Sequence, residues 1–244
     1  MRVEVAGTEL ELLPERAAYW HQRGTLFLAD THWGKAATLR AHSIPIPMGA
    51  TADDLERLTR AVEKTQCRGI VLLGDAIHAR EGQEERTLRA LAEWRESHRL
   101  LDFVLVRGNH DRGAGDPPAE LRIQCVNAPV VEGPFAFLHH PRPTKLGYVL
   151  AGHTHPAVKL RGQGRQRATL PCFWVTKDVM TLPAFGSFCG KAVVKPGASD
   201  RVYVIAEEEV LQVETGAVSA ESPRPPQCSE PPRAYRPRAR SPRR

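Results

Sequence analysis

Apolar positions recur along this chain with two periods, and the change from one to the other divides it. Val3–Val5 and Glu9–Leu13 alternate as strands do and flank a turn at Gly7-Thr8, which predicts a hairpin. Thr25–Ala29 is a short, mostly apolar run bounded by Gly24 and Asp30, the pattern of a buried strand. Ile44-Pro-Ile-Pro47 is irregular, because proline breaks ladders and helices alike. Thr51 then reads as a helix N-cap, with Asp53 and Asp54 in the first turn and Leu55, Leu58 and Val62 at helical spacing. Gly69–Leu73 is a second buried strand, ending at Gly74-Asp75. A helical period runs from about Glu84 to His98 through Leu88, Leu91 and Trp94, and Phe103–Val106 is a third strand ending at Gly108-Asn109. Strand, helix, strand, helix, strand predicts a parallel core with crossover connections. Phe135–Leu138, Tyr148–Ala151, Ala157–Leu160, Ala192–Val194 and Val202–Ile205 are short strands with few helical signals between them, which predicts a second, mainly antiparallel sheet.

Composition changes this picture at one end only. Past Val213 the aliphatic residues nearly vanish, and seven prolines and seven arginines fall within the last 26 residues. Such a segment buries too little surface to offset its ordering, so 1–213 is expected to be the folded domain and 214–244 a disordered Pro/Arg-rich tail. From Ser219 onward the arginines stand against Glu221 and Glu230 alone. About +5 of the formal net charge of +6 therefore sits in the tail, and the body is nearly neutral. A nucleic-acid reading drawn from whole-chain charge would mislead. The tail is expected to raise DNA affinity without choosing the site, or else to be a solubilising appendage. The five cysteines are scattered without CxxC spacing, which argues against a disulfide framework or a thiolate zinc site. No apolar run reaches the ~20 residues of a membrane span, and no leader pattern opens the chain. The cytoplasm is the expected compartment.

The chemistry-bearing residues cluster after strands. Asp30-Thr-His32 follows the first buried run, Gly74-Asp75-Ala-Ile-His78 the second and Gly108-Asn-His-Asp111 the third; His139-His140 and Gly152-His-Thr-His155 follow two of the later strands. Ligands of open α/β sheets bind beyond the carboxyl ends of the strands. Carboxylate, imidazole and carboxamide oxygen together suit divalent ions such as Mn²⁺, Zn²⁺ and Fe²⁺. In Asp30-X-His32 and His153-X-His155, an extended backbone would put both side chains on one face. A lone histidine is most often an ordinary core or surface group, and His21, His42 and His98 are read that way. Five clusters in order, each directly after a strand, are a different matter.

The ordered set D-x-H, G-D-x-x-H, G-N-H-D, H and G-H-x-H resembles the signature of the calcineurin-like metallophosphoesterases. A longer resemblance covers nearly the whole body. Glu15–Trp20, Ala29–Ala37, Leu39–Pro47, Leu182-Pro-Ala-Phe-Gly186 and Gly190-Lys191 are similar to the PdeM family of ligase-associated DNA damage response endonucleases. The tail is not part of that pattern. The resemblance implies an α/β fold, a four-layer α/β/β/α sandwich of two mixed sheets. It implies phosphodiester cleavage in DNA by a water activated between two divalent ions, most often Mn²⁺, with Zn²⁺ or Fe²⁺ as alternatives. It also implies functional association with an ATP-dependent DNA ligase, a large helicase and a metallo-β-lactamase-like nuclease. By the same resemblance one ion falls to Asp30, His32 and His155, the other to Asn109, His139 and His153, and Asp75 bridges them. His110 becomes the proton donor to the leaving oxygen, with Asp111 orienting its ring, or else a phosphate contact. His78 fits the signature without being a ligand. His140 takes the place of His139 if the strand ends one residue later, and is otherwise a substrate contact. Lys35 and Arg40 either meet substrate phosphate or form solvated surface. Two other readings stand beside this one. A nucleotide or cyclic-nucleotide phosphodiesterase would use the same ions behind a lidded pocket. A non-catalytic scaffold would have no need of a complete ligand set.

Overall fold

The structure is a computed structural model that describes residues 1–47, 49–161 and 167–214; the expected tail at 214–244 lies almost wholly outside the described residues. The first sheet holds β1 (Arg2–Val5), β2 (Thr8–Leu13), β3 (Ala17–Trp20), β4 (Thr25–Leu28), β5 (Gly69–Leu72), β6 (Asp102–Val106) and β7 (Gln124–Val126) in that spatial order. The pairs from β1 to β4 are antiparallel and those from β4 to β7 parallel. Four helices belong to this half: α1 (Lys35–Ala41), α2 (Ala50–Thr65), α3 (Glu85–Ser97) and α4 (Asn109–Ala114). The second sheet comprises β8 (Val130–Glu132), β9 (Phe135–Phe137), β10 (Tyr148–Ala151), β11 (Pro156–Arg161), β12 (Arg167–Val175), β13 (Val179–Thr181), β14 (Ala192–Val193), β15 (Arg201–Ala206) and β16 (Glu209–Val213). Its pairings are mainly antiparallel, but β9, β10 and β13 run parallel to one another and β14 runs parallel to β11. The fold is thus α/β with two mixed sheets, as the resemblance implies, and among the described residues no helix follows Leu121.

Burial explains why the central strands read as unbroken apolar runs. Phe27 and Val71 face the second sheet and pack with Phe137, Leu150, Phe173 and Tyr203. Leu26, Leu28, Ile70 and Leu72 point the other way, under Leu55 and Leu58 of α2 and Leu91 and Trp94 of α3. A strand covered on both faces has no polar side to alternate with. The start of α2 differs from the expectation. Gly49, at φ 111°, occupies the cap position and Thr51 lies inside the first turn. Asp54 is not a first-turn charge at the surface. It is buried, accepts the Ser187 N–H at 3.1 Å and its hydroxyl at 2.6 Å, and pairs with Arg57. No helix among the described residues is long and apolar enough to cross a membrane.

Candidate metal centre

The five clusters meet because their strands end at common edges. In register, Leu28 pairs with Leu72, Leu72 with Leu105, and Phe137 with Leu150, so β4, β5 and β6 end together and so do β9 and β10. The chain then leaves the ladder sharply. Asp30, His32, Asp75, His153 and His155 all adopt positive φ, between 44° and 70°. For a residue with a Cβ this costs about 1–2 kcal/mol, and such strain persists where the surroundings overdetermine it, as at functional sites. Asp30-X-His32 and His153-X-His155 therefore converge through left-handed turns, not through the extended backbone expected.

His139 is buried, and its Nδ1–H donates to the Leu73 carbonyl at 2.8 Å. Its Nε2 faces Asn109 Oδ1 at 3.0 Å, His153 Nδ1 at 3.1 Å and Asp75 Oδ2 at 3.3 Å. The same Asp75 oxygen lies 3.9 Å from His32 Nε2. Asp30, His32 and Asp75 place ligand atoms within 4.8 Å of one another, and His155 Nε2 lies 3.4 Å from Asp30 Oδ1. Asp30 Oδ1 is buried with no hydrogen-bond partner, a costly condition for a carboxylate oxygen. Lone pairs of His139, Asn109, Asp75 and His153 crowd one point, and a proton or a cation there relieves their repulsion. The donor set of carboxylate, imidazole and carboxamide oxygen fits divalent ions.

The titration behaviour reflects the same crowding. Burial opposes charge on Asp75, but the hydrogen bond and charge of His139 and the His110 N–H prevail and hold it at about 2. His139 is raised despite its burial by Asp75 and Asp30. Burial pushes His32 down to about 2 and His78 to about 4, with Lys35 and His110 adding to both. These two rings are neutral at pH 7, the form in which imidazole binds a metal.

The other expected residues divide. His110 donates its backbone N–H to Asp75 Oδ1 at 2.8 Å, and its ring Nδ1–H is held by the His78 carbonyl at 2.8 Å. Asp111 does not orient that ring, contrary to expectation. Its two oxygens accept the N–H groups of Asp75, Gly108 and Ala76 at 2.7, 2.8 and 2.9 Å, tying the two metal-site loops together. The strand β9 ends at Phe137, and His140 is exposed, its ring 4.0 Å from that of His153. Lys35 stands at the start of α1 in a small cleft beside His32 and Cys189. Arg40 is not brought to the centre: it pairs with Glu84 at 3.0 Å in the groove between α1 and α3. Sequence reasoning missed Cys189, whose sulfur lies within 4.8 Å of ligand atoms of His32 and His155, and missed the clamp on its loop. Arg57 donates to the Phe185 carbonyl, while the Phe185 and Gly186 N–H groups donate to the Ala29 and Asp30 carbonyls at 2.8 and 3.1 Å. Only the Leu182–Gly186 resemblance signalled that segment.

Known proteins place this geometry. Residues 25–141 match the calcineurin-like phosphoesterase family. The Pseudomonas putida nuclease MPE is 41% identical, over 86% of this chain and 99% of that one, with a TM-score of 0.76. Yfce, a phosphoesterase from E. coli, is 13% identical over 80% of this chain and 99% of its own, at a TM-score of 0.37, too low to argue from. No curated protein matches. Signature, donor set and a relative alike over nearly its whole length agree: the chain belongs to the calcineurin-like phosphoesterases and is a metal-dependent phosphoesterase.

Proposed function

We propose that the protein is a two-metal phosphodiesterase acting on DNA, an endonuclease of the ligase-associated damage response. The observation that carries the two-metal part is Asp75 Oδ2, one oxygen facing both His32 and His139. In this reading Asp30, His32 and His155 hold one divalent ion, Asn109, His139 and His153 the other, and Asp75 belongs to both. Ions bound there supply Lewis-acid stabilisation of the phosphoryl oxygens and an activated water for in-line attack. The protein's own part is orientation. The His78 carbonyl fixes one nitrogen of His110, leaving Nε2 to carry the proton for the leaving oxygen. Asp111 holds the Asp75 loop against the loop of Asn109 and His110. Asn109, His140 and His153 are exposed, which supports access to the centre from solvent.

The DNA part is supported by the likeness to a protein named as a nuclease. Mn²⁺ as the resident ion, and work beside an ATP-dependent ligase, a helicase and a metallo-β-lactamase-like nuclease, follow from the resemblance to PdeM alone. Incubation of Mn²⁺-loaded protein with linear, nicked and single-stranded DNA and with mononucleotide diesters tests the substrate. Cleavage of DNA within the chain is expected. Hydrolysis of mononucleotide diesters with DNA left intact would favour the nucleotide phosphodiesterase instead.

A further inference from the structure

Most arginines among the described residues are spoken for. Arg2, Arg23, Arg40, Arg57, Arg60, Arg89, Arg107 and Arg122 pair with carboxylates, and Arg16, Arg68, Arg95 and Arg201 donate to backbone carbonyls. The side chains of Arg80, Arg112 and Arg142 have neither a hydrogen bond nor an ion pair with any described residue, and all three are exposed. They are not scattered. Arg80 lines a cleft of about 400 Å³ with His78, Asn109 and His110. Arg112 lies on α4, three residues beyond Asn109, and its charge, like that of Arg142, reaches the His140 ring. Arg142 follows His140, to whose carbonyl its N–H donates at 2.9 Å, and the His140 ring rests against His153. Arg99 also lacks a partner, but it sits before β6, at the opposite end of that strand from the metal loops.

Uncompensated guanidiniums beside a centre built for divalent cations repel it and one another. Anions lying between them relieve that repulsion. Arg80 stands on the side of His78 and His110 and Arg142 on the side of His140 and His153, so the two groups flank the centre. We propose that Arg80 on one flank, and Arg112 with Arg142 on the other, bind phosphates of a nucleic-acid strand on both sides of the scissile bond. The proposal rests on the DNA reading above and deepens it: the substrate is a strand that runs through the centre, not one that ends there. Guanidinium suits phosphate oxygens through paired N–H donors. It also locates the DNA-binding charge of a nearly neutral body.

The test uses the full-length, Mn²⁺-loaded protein and three variants: Arg80→Gln, the double Arg112→Gln/Arg142→Gln, and Arg112→Lys/Arg142→Lys. Anisotropy of a labelled single-stranded oligodeoxynucleotide is followed against salt on the same proteins loaded with Ca²⁺ in place of Mn²⁺, which suppresses turnover. Bis(p-nitrophenyl) phosphate turnover reports on the centre itself, and melting temperature on the fold. Each arginine replaced by Gln should make the slope of log Kd against log salt shallower by about 0.7. The Gln double should lose roughly tenfold or more in affinity and far less in small-diester turnover, while the Lys double restores the slope. Unchanged slope and affinity in both Gln variants overturn the proposal and leave the DNA reading standing. Equal losses on oligonucleotide and small diester also overturn it, placing the arginines in support of the centre. A wild-type protein that hydrolyses the small diester but does not bind the oligonucleotide sinks both, and spares the two-metal reading.

Discussion

Two glycines of the signature have a steric reason that the sequence does not reveal. A Cβ on Gly108 would lie 2.2 Å from Asp75 Oδ1, and one on Gly152 would lie 2.5 Å from Asp30 Oδ2. Each glycine thus makes room for a carboxylate of a different cluster, so the motifs interlock. Gly152→Ala is expected to displace Asp30 and cost one ion of two, counted by native mass spectrometry; full occupancy would show that the loop yields. Asp75→Asn should weaken both sites, and retention of two ions would sink the bridging role. Asp111 acts at one remove. Truncating it to Ala strands three N–H groups, each worth about 1–3 kcal/mol when left buried and unpaired. Asp111→Ala should melt well below the parent even in chelator, before any metal is at stake; an unchanged melting temperature would mean that water serves those groups as well. His110 has a separate signature. If it protonates the leaving oxygen, His110→Asn should lose roughly 10²–10⁴-fold on alkyl diesters. On a nitrophenyl ester, which leaves without a proton, it should lose little. Equal losses would assign the ring to phosphate binding.

At the scale of elements, legibility follows periodicity and burial. The helix α2 was readable because Leu55 and Leu58 recur on one face over sixteen residues, and both are buried. Leu58→Ala should cost about 2–5 kcal/mol, measurable by urea denaturation, since the side chain is wholly enclosed between the helix and the first sheet. Short elements carried no such signal. The helix α1 has seven residues and β3 four, all buried, so neither shows a period of its own. The strand β12 is the longest of all, yet Pro171 interrupts its pattern and its first residues are exposed. The metal clusters were legible for a different reason: their order along the chain, at strand ends, is a chemical pattern independent of backbone detail. What could not be read was direction. The bracing of loops by Asp111 and the loss of Arg40 to Glu84 depend on contacts 35 to 44 residues apart in sequence, and the His153 turn meets Asp30 across 123.

For the whole molecule, the centre lies where two sheets meet. Asp30, His32, Asp75 and Asn109 follow strands of the first sheet, and His139, His153 and His155 follow strands of the second. The two layers already share an apolar core, with Phe27 against Phe137 and Trp20 against Phe135, ring centroids 5.1 Å apart in each pair. Ions held by donors from both layers would close the sandwich at one edge, and in the proposed assignment each ion takes donors from both sheets. Metal binding is then coupled to the docking of one sheet on the other, and it should appear as stability. A ligand present at a thousandfold its Kd stabilises the folded state by about 4 kcal/mol, which for a chain of this size shifts Tm by roughly 8–16 °C. Mn²⁺ should therefore raise Tm by about that much over the protein in chelator, and the rise should shrink in Asp75→Asn, which spoils both sites. His110→Asn, which removes no proposed ligand, should keep the full rise. If Mn²⁺ leaves Tm where the chelator does, the ions do not join the sheets; if it raises Tm equally in Asp75→Asn, the binding lies elsewhere on the molecule.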